Sequence, residues 1–332
     1  MTRAAMTHAP MARYAVVVPT VGRESLRAVL DALHTGDGPE PVEVVVVDDR
    51  PVPGDLPLPH RMTTPVRVVH SGGRGPAAAR NAGWRAVDAE WVAFLDDDVL
   101  PPPDWRARLA EDLDVDPDVG ATQARLSVPL PPDRAPTDWE RGTAGLADAK
   151  WITADMAYRR SVLAEVGGFD ERFPRAYRED AELAVRVQDR GHRIVSGSRH
   201  TTHPVRPSDF WASLRQQRGN ADDALMRRLL GPGWRDRIGG HPGRLRAHAL
   251  TTAAGAGAVL AGLLGARRTA LALAGVWAGL TAAFAAQRIA PGPRTPEEVL
   301  RMVATSAAIP PAACAHRLRG ELRHRGVRRC AS

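Results

Sequence analysis

The sequence predicts an α/β protein with a doubly wound sheet, followed by an α-helical, membrane-associating C-terminal region. Two observations support this: short β-branched runs alternate with helical patterns in the first hundred residues, and the composition becomes apolar near Ala247. The chain has 332 residues, of which 44% are hydrophobic and 25% charged. This length and composition suit one large globular domain with an appendage.

The first domain is indicated by strands and helices in alternation. Apolar runs that predict buried parallel strands lie at 14–18, 42–47, 66–69 and 91–95. Helical spacing of leucine and valine predicts a helix at 24–33, and a second helix is predicted at 76–87. This alternation specifies a doubly wound sheet.

Further along, the pattern predicts fewer elements. A Pro-rich stretch covers 128–136, helices are expected at 161–166 and 179–190, a strand at 193–195, and a surface helix at 208–230. The predicted divisions are a polar N-terminal tail at 1–13, a catalytic domain at 14–205, a helical linker at 206–246, a hydrophobic hairpin at 247–286 and a basic interfacial tail at 287–332.

The hydrophobic hairpin consists of two nearly uncharged segments, 247–265 and 269–286, separated by Arg267 and Arg268. Each is close to the ~20 residues that cross a bilayer core, so a spanning or re-entrant pair is expected. Both segments are rich in Ala and Gly, which insert less favourably than Leu, and a soluble helical pair is therefore the alternative.

The C-terminal tail is basic. The chain carries a formal charge of +7, and residues 315–332 contain several arginines but a single acid, Glu321. Such a tail suits an anionic membrane or nucleic acid. The adjoining hairpin and the lack of interleaved aromatics favour the membrane and argue against nucleic acid. A third apolar stretch, 299–315, is interrupted by Pro310 and Pro311 and is expected to lie in the membrane interface.

The location of the catalytic domain is predicted from the N-terminus and the cysteines. Residues 1–13 carry no apolar run, so a cleavable secretory signal is not expected and the catalytic domain is predicted to be cytoplasmic. Arg244, Arg246 and Arg288 would lie on the cytoplasmic side of the membrane. Cys314 and Cys330 lie outside the catalytic domain, which excludes a disulfide framework or a CxxC metal site there.

Carboxylates cluster where a ligand site is expected. Asp48 and Asp49 follow the second strand, and Asp96, Asp97 and Asp98 follow the fourth. In doubly wound sheets, ligands bind at the carboxyl ends of the strands. Three adjacent carboxylates suit Mg²⁺ or Mn²⁺, whereas a solvated acidic turn is the alternative interpretation.

A glycine-rich loop precedes the second helix. Gly72, Gly73 and Gly75 could form a phosphate-binding loop, because helix N-termini bind anions. The spacing matches neither the dinucleotide fingerprint nor a Walker loop, and this argues against a nicotinamide enzyme.

Six short blocks occur in a fixed order between residues 14 and 204. They are VVVPT with Gly22-Arg23, VVVDD at 45–49, ARNAG at 79–83, FLDDD at 94–98, MAYRR leading to GGFD at 156–170, and Glu179-Asp180 with Leu183. In these blocks the chain resembles the glycosyltransferase family 2 enzymes. The resemblance implies a GT-A Rossmann-like mixed sheet and inverting sugar transfer from a nucleotide-diphospho-sugar.

The resemblance also implies roles for individual residues. Nucleotide-sugar binding is implied for Pro19, Thr20, Arg23, Asp48, Arg80, Asp96 and Asp97. Asp48 would accept from the base or ribose, and Arg80 would approach the base or diphosphate. Asp98 would hold Mn²⁺ or Mg²⁺, with His203, rather than His200, as a further ligand.

Asp180 would be the catalytic base that takes the proton of the acceptor hydroxyl. The alternative is that Glu179 and Asp180 only complement the dipole of a helix N-terminus. Glu179, Trp151 and Asp155 are expected to contact the acceptor or to support residues that do. The acceptor is a hydroxyl compound, with a lipid-linked or cell-envelope glycan suggested by the apolar tail.

Departures from the family pattern and two rival functions complete the sequence interpretation. Processive relatives carry Gln-x-x-Arg-Trp, whereas residues 216–220 lack the Trp, so transfer of single sugars is expected.

A nucleotidyltransferase would need a Gly-rich basic loop after the first strand, which residues 19–22 do not supply. An inert membrane-tethered carbohydrate-binding or scaffold protein is the other rival. Retention of Asp98, Asp180 and His203 together argues against it.

Overall fold

The structure is a computed structural model, and it describes residues 12–327. Most of the predicted N-terminal tail and the last arginines of the basic tail, Arg328 and Arg329, lie outside the described residues. The described chain forms two compact units. One contains the residues up to Pro129 together with Leu146–Pro204, and the other contains Leu130–Gly145 and the residues from Val205 onward.

The first unit is built on a seven-stranded sheet with the order β3-β2-β1-β4-β6-β5-β7. Its strands are β1 (Tyr14–Thr20), β2 (Val44–Asp48), β3 (Val66–His70), β4 (Trp91–Leu95), β5 (Val119–Ser127), β6 (Asp155–Arg159) and β7 (Arg193–Thr202). Strand β6 is antiparallel to both of its neighbours, and the other pairs are parallel. The sheet is therefore mixed, as predicted.

The helices are numbered in chain order through both units. Those of the first unit are α1 (Ser25–Thr35), α2 (Pro76–Ala86), α3 (Trp105–Leu113), α5 (Arg160–Val166) and α6 (Glu179–Asp189). Those of the second are α4 (Asp138–Ala144), α7 (Ala212–Arg215), α8 (Gly219–Leu230), α9 (Trp234–Arg237), α10 (Leu245–Leu263), α11 (Arg267–Ile289) and α12 (Pro296–Arg323), with a 3₁₀ turn at Gln216–Arg218.

Both faces of the sheet are buried. Along β1, Val16 and Val18 pack into one apolar cluster, and Ala15 and Val17 pack into the other. Such burial on two sides requires strands that are apolar at every position, because successive side chains point to opposite faces. The continuous β-branched runs of the sequence have this pattern, and the predicted α/β class is confirmed.

Strands β5 and β6 and helix α3 of the first unit were not predicted from the sequence. Strand β5 carries Thr122, Gln123 and Arg125 among its apolar residues, and β6 begins at Asp155 and ends at Arg159. These polar residues break the apolar runs by which β1, β2 and β4 are recognised. Strand β7 also extends beyond the predicted 193–195, because its distal half pairs with β5 after a bulge.

A buried ion triad fixes the distal half of β7. Arg199 is fully buried and donates to Asp112 Oδ2 at 2.7 Å and to Asp155 Oδ1 at 2.9 Å. Asp155 Oδ2 also accepts from the indole of Trp105 at 2.6 Å. The triad therefore joins α3, β6 and β7 beneath the sheet.

Replacement of Arg199 is expected to destabilise the protein strongly. Arg199→Met leaves two buried carboxylates without their cation, and breaking a buried pair in this way costs about 3–5 kcal/mol of unfolding free energy. Arg193→Met on the same strand is the control, since its ion pairs with Asp116 and Asp118 are exposed and worth at most about 1 kcal/mol. Denaturant unfolding of both variants measures the difference, and equal losses would contradict the assignment.

The second unit is helical, and its helix α12 differs from the prediction. Pro310 and Pro311 were expected to interrupt this segment, but both lie inside one continuous helix. Proline removes a backbone donor and disfavours a helix interior. Here Ile309, Pro310 and Ala313 are buried against neighbouring helices, and this tertiary packing outweighs the local cost.

One of the two helices of the predicted hairpin has the length and hydropathy of a membrane span. Within the described residues, α11 is the one helix long and apolar enough to cross a membrane, with a mean hydropathy of 1.6 and 11% of the segment buried. Helix α10 does not meet the same criterion. It carries Arg246 and His248 and packs Thr251 inward, and these polar residues lower its hydropathy.

Arg288 and the predicted surface helix have contacts that were not expected. Arg288 is buried and donates to Asp138 at 2.8 Å and to Thr305 at 2.8 Å, so its charge is paired within the unit. The segment predicted as one surface helix at 208–230 is broken at Gln216–Arg218, and α8 buries Leu225 and other apolar residues.

Candidate active site

The carboxyl ends of four strands lie at one edge of the sheet. Strands β1, β2 and β4 are parallel neighbours, and β7 runs in the same direction because it is parallel to β5. The antiparallel strand β6 brings its first residue, Asp155, to this edge, opposite Leu95. This is where ligands bind in such sheets.

Asp98 and His203 lie side by side at this edge. An isolated bridge joins Leu100 to Thr202, with backbone N–H···O distances of 2.7 and 3.1 Å, and so attaches the loop after β4 to the end of β7. As a result Asp98 Oδ2 lies 3.8 Å from His203 Nε2, and both side chains are buried. His200, the alternative ligand, is exposed on β7 and pairs with Arg125.

The chemistry of this pair fits a divalent cation. The Nδ1 atom of His203 lies 3.2 Å from the carbonyl oxygen of Pro204, and donation of an Nδ1–H there directs the Nε2 lone pair towards Asp98. A carboxylate oxygen and an imidazole nitrogen are ligands for Mn²⁺. Within residues 12–327 no group of three such side chains converges, so the pair supplies two ligands.

Asp97 connects the ends of β1 and β4. Its carboxylate accepts from Thr20 Oγ1 at 2.5 Å and from the guanidinium of Arg23. Burial raises the pKa of Asp97, and the bonds from Thr20 and Arg23 act in the opposite direction. Three residues predicted to bind the nucleotide are thus brought together, and Pro19 is half-buried beside them.

Arg80 makes internal contacts that the sequence did not predict. Its side chain is buried, with Nη2 donating to Asp96 Oδ1 at 2.9 Å and Nη1 donating to Glu179 Oε1 at 2.7 Å. Both terminal nitrogens are therefore occupied by carboxylates. The expected approach of Arg80 to the nucleotide base or diphosphate stays a prediction, and in this structure the guanidinium is bonded between Asp96 and Glu179.

Asp180 stands in the first turn of α6, next to Glu179, and is partly buried. Burial raises the pKa of Asp180, against the influence of the nearby Arg80 and Arg178. Burial and the neighbouring Asp180 raise the pKa of Glu179, against the influence of Arg80. Clustered carboxyls with raised pKa values are typical of sites of proton transfer.

Asp48, predicted to accept from the base or ribose, has an internal partner in the structure. It is fully buried, and both of its oxygens accept from Arg50, at 2.8 Å from Nε and 2.7 Å from Nη2. These hydrogen bonds lower the pKa of Asp48. Acceptance from the nucleotide would first require Arg50 to move, so Arg50 is the more accessible of the two.

The glycine-rich loop is held by Asp49, a residue for which no role was predicted. Asp49 accepts from the backbone N–H of Arg74 at 3.0 Å, from that of Gly75 at 2.9 Å, and from Ser71 Oγ at 2.7 Å. The N–H groups that a phosphate would need are thus satisfied by a carboxylate. The loop does not form the phosphate cradle considered above.

Asp155 and Trp151 complete the predicted residues. Asp155 is fully buried in the ion triad, so it cannot contact an acceptor and has a supporting position only. Trp151 is partly buried against the apolar cluster that contains Val17, with its backbone at φ 61°. Trp151 lies shortly before β6 in the chain, and β6 begins at Asp155 at the edge that carries the site.

The mixed sheet, with an acidic cluster and a histidine at its carboxyl edge, defines a GT-A type α/β fold. The sequence pattern of the family described as Glycosyl transferase family 2 matches residues 15–182, about half of the chain. The chain belongs to this family.

A curated relative and a solved structure are similar to this chain. The pre-mycofactocin glycosyltransferase of Mycobacterium tuberculosis is 29% identical over 196 residues, which cover 54% of this chain and 40% of the relative. The chain thus spans less than half the length of that relative. The mannosyltransferase PcManGT from Pyrobaculum calidifontis, solved with GDP-Man and Mn²⁺, superimposes with a TM-score of 0.51 at 20% identity, covering 93% of this chain and 88% of that one. This likeness supports the fold.

Proposed function

We propose that the protein is a metal-dependent, inverting glycosyltransferase that moves one sugar at a time from a nucleotide-diphospho-sugar to a hydroxyl acceptor. The observation that carries this proposal is the link from Asp96 through Arg80 to Glu179. This link ties the first turn of α6, which carries Asp180, to Asp96 at the strand edge that also carries Asp98. It supports a site shared by the proposed base and the proposed metal-binding pair.

The residues of the chain divide the chemistry between them. Asp98 and His203 would hold a Mn²⁺ or Mg²⁺ ion, which when bound would neutralise charge on the departing diphosphate. Asp180 would accept the proton of the acceptor hydroxyl as its oxygen attacks the anomeric carbon. Attack from the face opposite the leaving diphosphate inverts the configuration at that carbon. Thr20, Arg23 and Asp97 would border the nucleotide.

The acceptor is a separate part of the proposal. The similarity to the pre-mycofactocin enzyme covers 54% of this chain, so the acceptor of that protein is not assigned to this chain. We propose a hydroxyl acceptor that is lipid-linked or part of a cell-envelope glycan. The exposed apolar helix α11 supports this, because it would hold the catalytic unit near such an acceptor.

A donor screen tests the proposed function against both rivals. Purified full-length protein with Mn²⁺ is incubated with a panel of nucleotide sugars, and the released phosphate species is identified. A glycosyltransferase releases a nucleoside diphosphate from the nucleotide sugar, whereas a nucleotidyltransferase releases pyrophosphate only in a parallel reaction that supplies a nucleoside triphosphate and a sugar 1-phosphate. Release of neither species with any donor and acceptor mixture would favour the inert carbohydrate-binding or scaffold protein.

We also propose that α11 attaches the protein to a membrane, with the catalytic unit in the cytoplasm. Its 23 residues, at 1.5 Å rise each, are enough to cross a hydrocarbon core. Leu271 and Val276 are 74% and 48% exposed, so this helix leaves large apolar side chains uncovered. Exposed apolar surface of this kind marks a membrane or protein contact.

Val276→Asp is expected to release the protein from membranes. A carboxylate near the centre of a membrane helix costs about 2.5–3.5 kcal/mol, so the membrane partition coefficient should fall by roughly 100-fold. Val52→Asp, at an exposed loop residue of the catalytic unit, is the control and should change nothing. Sedimentation of both variants with vesicles containing anionic lipid measures the effect. Wild-type protein that stays soluble without detergent would contradict the attachment.

A further inference from the structure

The first turn of α6 is held in an unusual way. The residue that precedes the helix, Arg178, has φ +80° and ψ −19°, a left-handed conformation that non-glycine residues adopt at a cost. An N-cap position usually carries Ser, Thr, Asp or Asn, whose side-chain oxygen accepts from the first turn. Arginine has no such acceptor. The entry to α6 therefore depends on other contacts to keep its place.

The contact that holds this turn is the buried guanidinium of Arg80. It lies on α2 and joins Glu179, the first residue of α6, to Asp96, the first residue after β4. Arg80 and Glu179 are 2% and 1% exposed. A planar guanidinium can donate to two carboxylates in fixed directions, and an ammonium cannot reproduce that geometry.

The pair is also poorly satisfied for a purely structural contact. Nε of Arg80 and Oε2 of Glu179 are buried and have no hydrogen-bond partner among the described residues. Buried polar atoms without partners oppose folding, and in native proteins each such atom calls for an explanation. An active site that must hold its catalytic base at a fixed position relative to the end of a strand supplies such an explanation.

We propose that Arg80 and Glu179 are positioning residues, which clamp the first turn of α6 to the end of β4 and so fix Asp180 relative to the metal-binding pair. This inference rests on the proposed function. It assigns Arg80 to the placement of the base, whereas the family resemblance implied a contact with the nucleotide base or diphosphate. The two roles predict different kinetic behaviour.

Arg80→Lys separates the two roles, because it keeps the charge but loses the double bridge. If Arg80 positions Asp180, kcat should fall by about 10- to 100-fold while the donor Kd changes by less than about 3-fold. In an Asp180→Asn background, the same substitution should cost less than about 3-fold, since residues that act through one group are not additive. If Arg80 instead binds the diphosphate, the donor Kd rises at least about tenfold in both backgrounds, and the proposal is overturned.

Glu179→Gln is the second variant, in case Arg80→Lys does not fold. It keeps the shape and the acceptor oxygen but weakens the bond to Arg80, so a smaller loss of kcat, about 3- to 10-fold, is expected. Arg85→Lys, on the same helix but half exposed and outside the site, is the matched control. Its kcat and Kd should equal those of the wild type.

Hydrogen exchange tests the clamp without relying on transfer activity. In Arg80→Lys, the backbone amides of Glu182 and Leu183 in the first turns of α6 should exchange at least about tenfold faster than in wild type and in Arg85→Lys. Unchanged exchange would overturn the clamp even if transfer is impaired. If the wild type transfers no sugar while exchange still accelerates, the proposed function fails and the anchoring of α6 by Arg80 stands.

Discussion

Asp180→Asn is expected to abolish most sugar transfer while donor binding survives. The amide keeps the size of the carboxylate but cannot accept the proton of the acceptor hydroxyl, and loss of a general base typically costs ~10²- to 10⁴-fold in rate. If Asp180 only complements the helix dipole, the substitution should cost at most ~1 kcal/mol of stability and leave turnover nearly intact. Single-turnover transfer, with nucleotide-sugar affinity measured in parallel, separates these outcomes.

The control for this variant is Asp31→Asn, which makes the same chemical change on the exposed face of α1. It should transfer sugar at the wild-type rate. Wild-type transfer by Asp180→Asn would move the base elsewhere, and Glu179 would be the first residue to test. Since Glu179 is buried and bonded to Arg80, it could serve as the base only if that pair opens.

The pH dependence of transfer is expected to reflect the ionisation of Asp180. The pKa of Asp180 is raised above its usual value of 3.8, and only the ionised carboxylate can accept a proton. Transfer should therefore rise with pH through the raised pKa and level off above it. The acidic limb of kcat against pH in the wild type should disappear in the residual activity of Asp180→Asn. An unchanged limb would assign that titration to another group.

Asp98→Ala is expected to remove metal-dependent activity. A bound cation contributes several kcal/mol of charge stabilisation to the departing diphosphate, which corresponds to a fall of about 10³-fold in transfer. Calorimetry should show that the variant has lost most of its Mn²⁺ affinity, and denaturant unfolding should show that it remains folded. Asp88→Ala, an exposed aspartate that follows α2, is the control. Full wild-type transfer in excess chelator would contradict the metal assignment.

The strands that form the centre of the sheet could be predicted because their side chains are buried on both faces. Strands β1, β2 and β4 are unbroken apolar runs, and acidic residues directly follow the last two. Parallel neighbours end at a common edge, so the approximate location of the site followed from this pattern alone. Strands β5 and β6 were missed because their polar residues take part in buried contacts that no local pattern reveals.

The internal partners of the site residues could not be predicted. Arg80, Asp48 and Asp155 are chemically suited to bind a ligand, and a motif indicates only that they lie near one. In the structure they are bonded to Glu179, Arg50 and Arg199, respectively. These partners lie between 2 and 99 residues away along the chain. The pairing of His203 with Asp98 similarly depends on the bridge between the loop after β4 and the end of β7.

The anomeric configuration of the first product tests the central claim most directly. The claim is that a single displacement, assisted by Asp180 and a metal ion, occurs at the carboxyl edge of the sheet. Proton NMR of the product formed from an α-linked nucleotide sugar, recorded before any second transfer, gives the configuration at the transferred anomeric carbon. The account predicts the β anomer, and a product that retains the α configuration would contradict it.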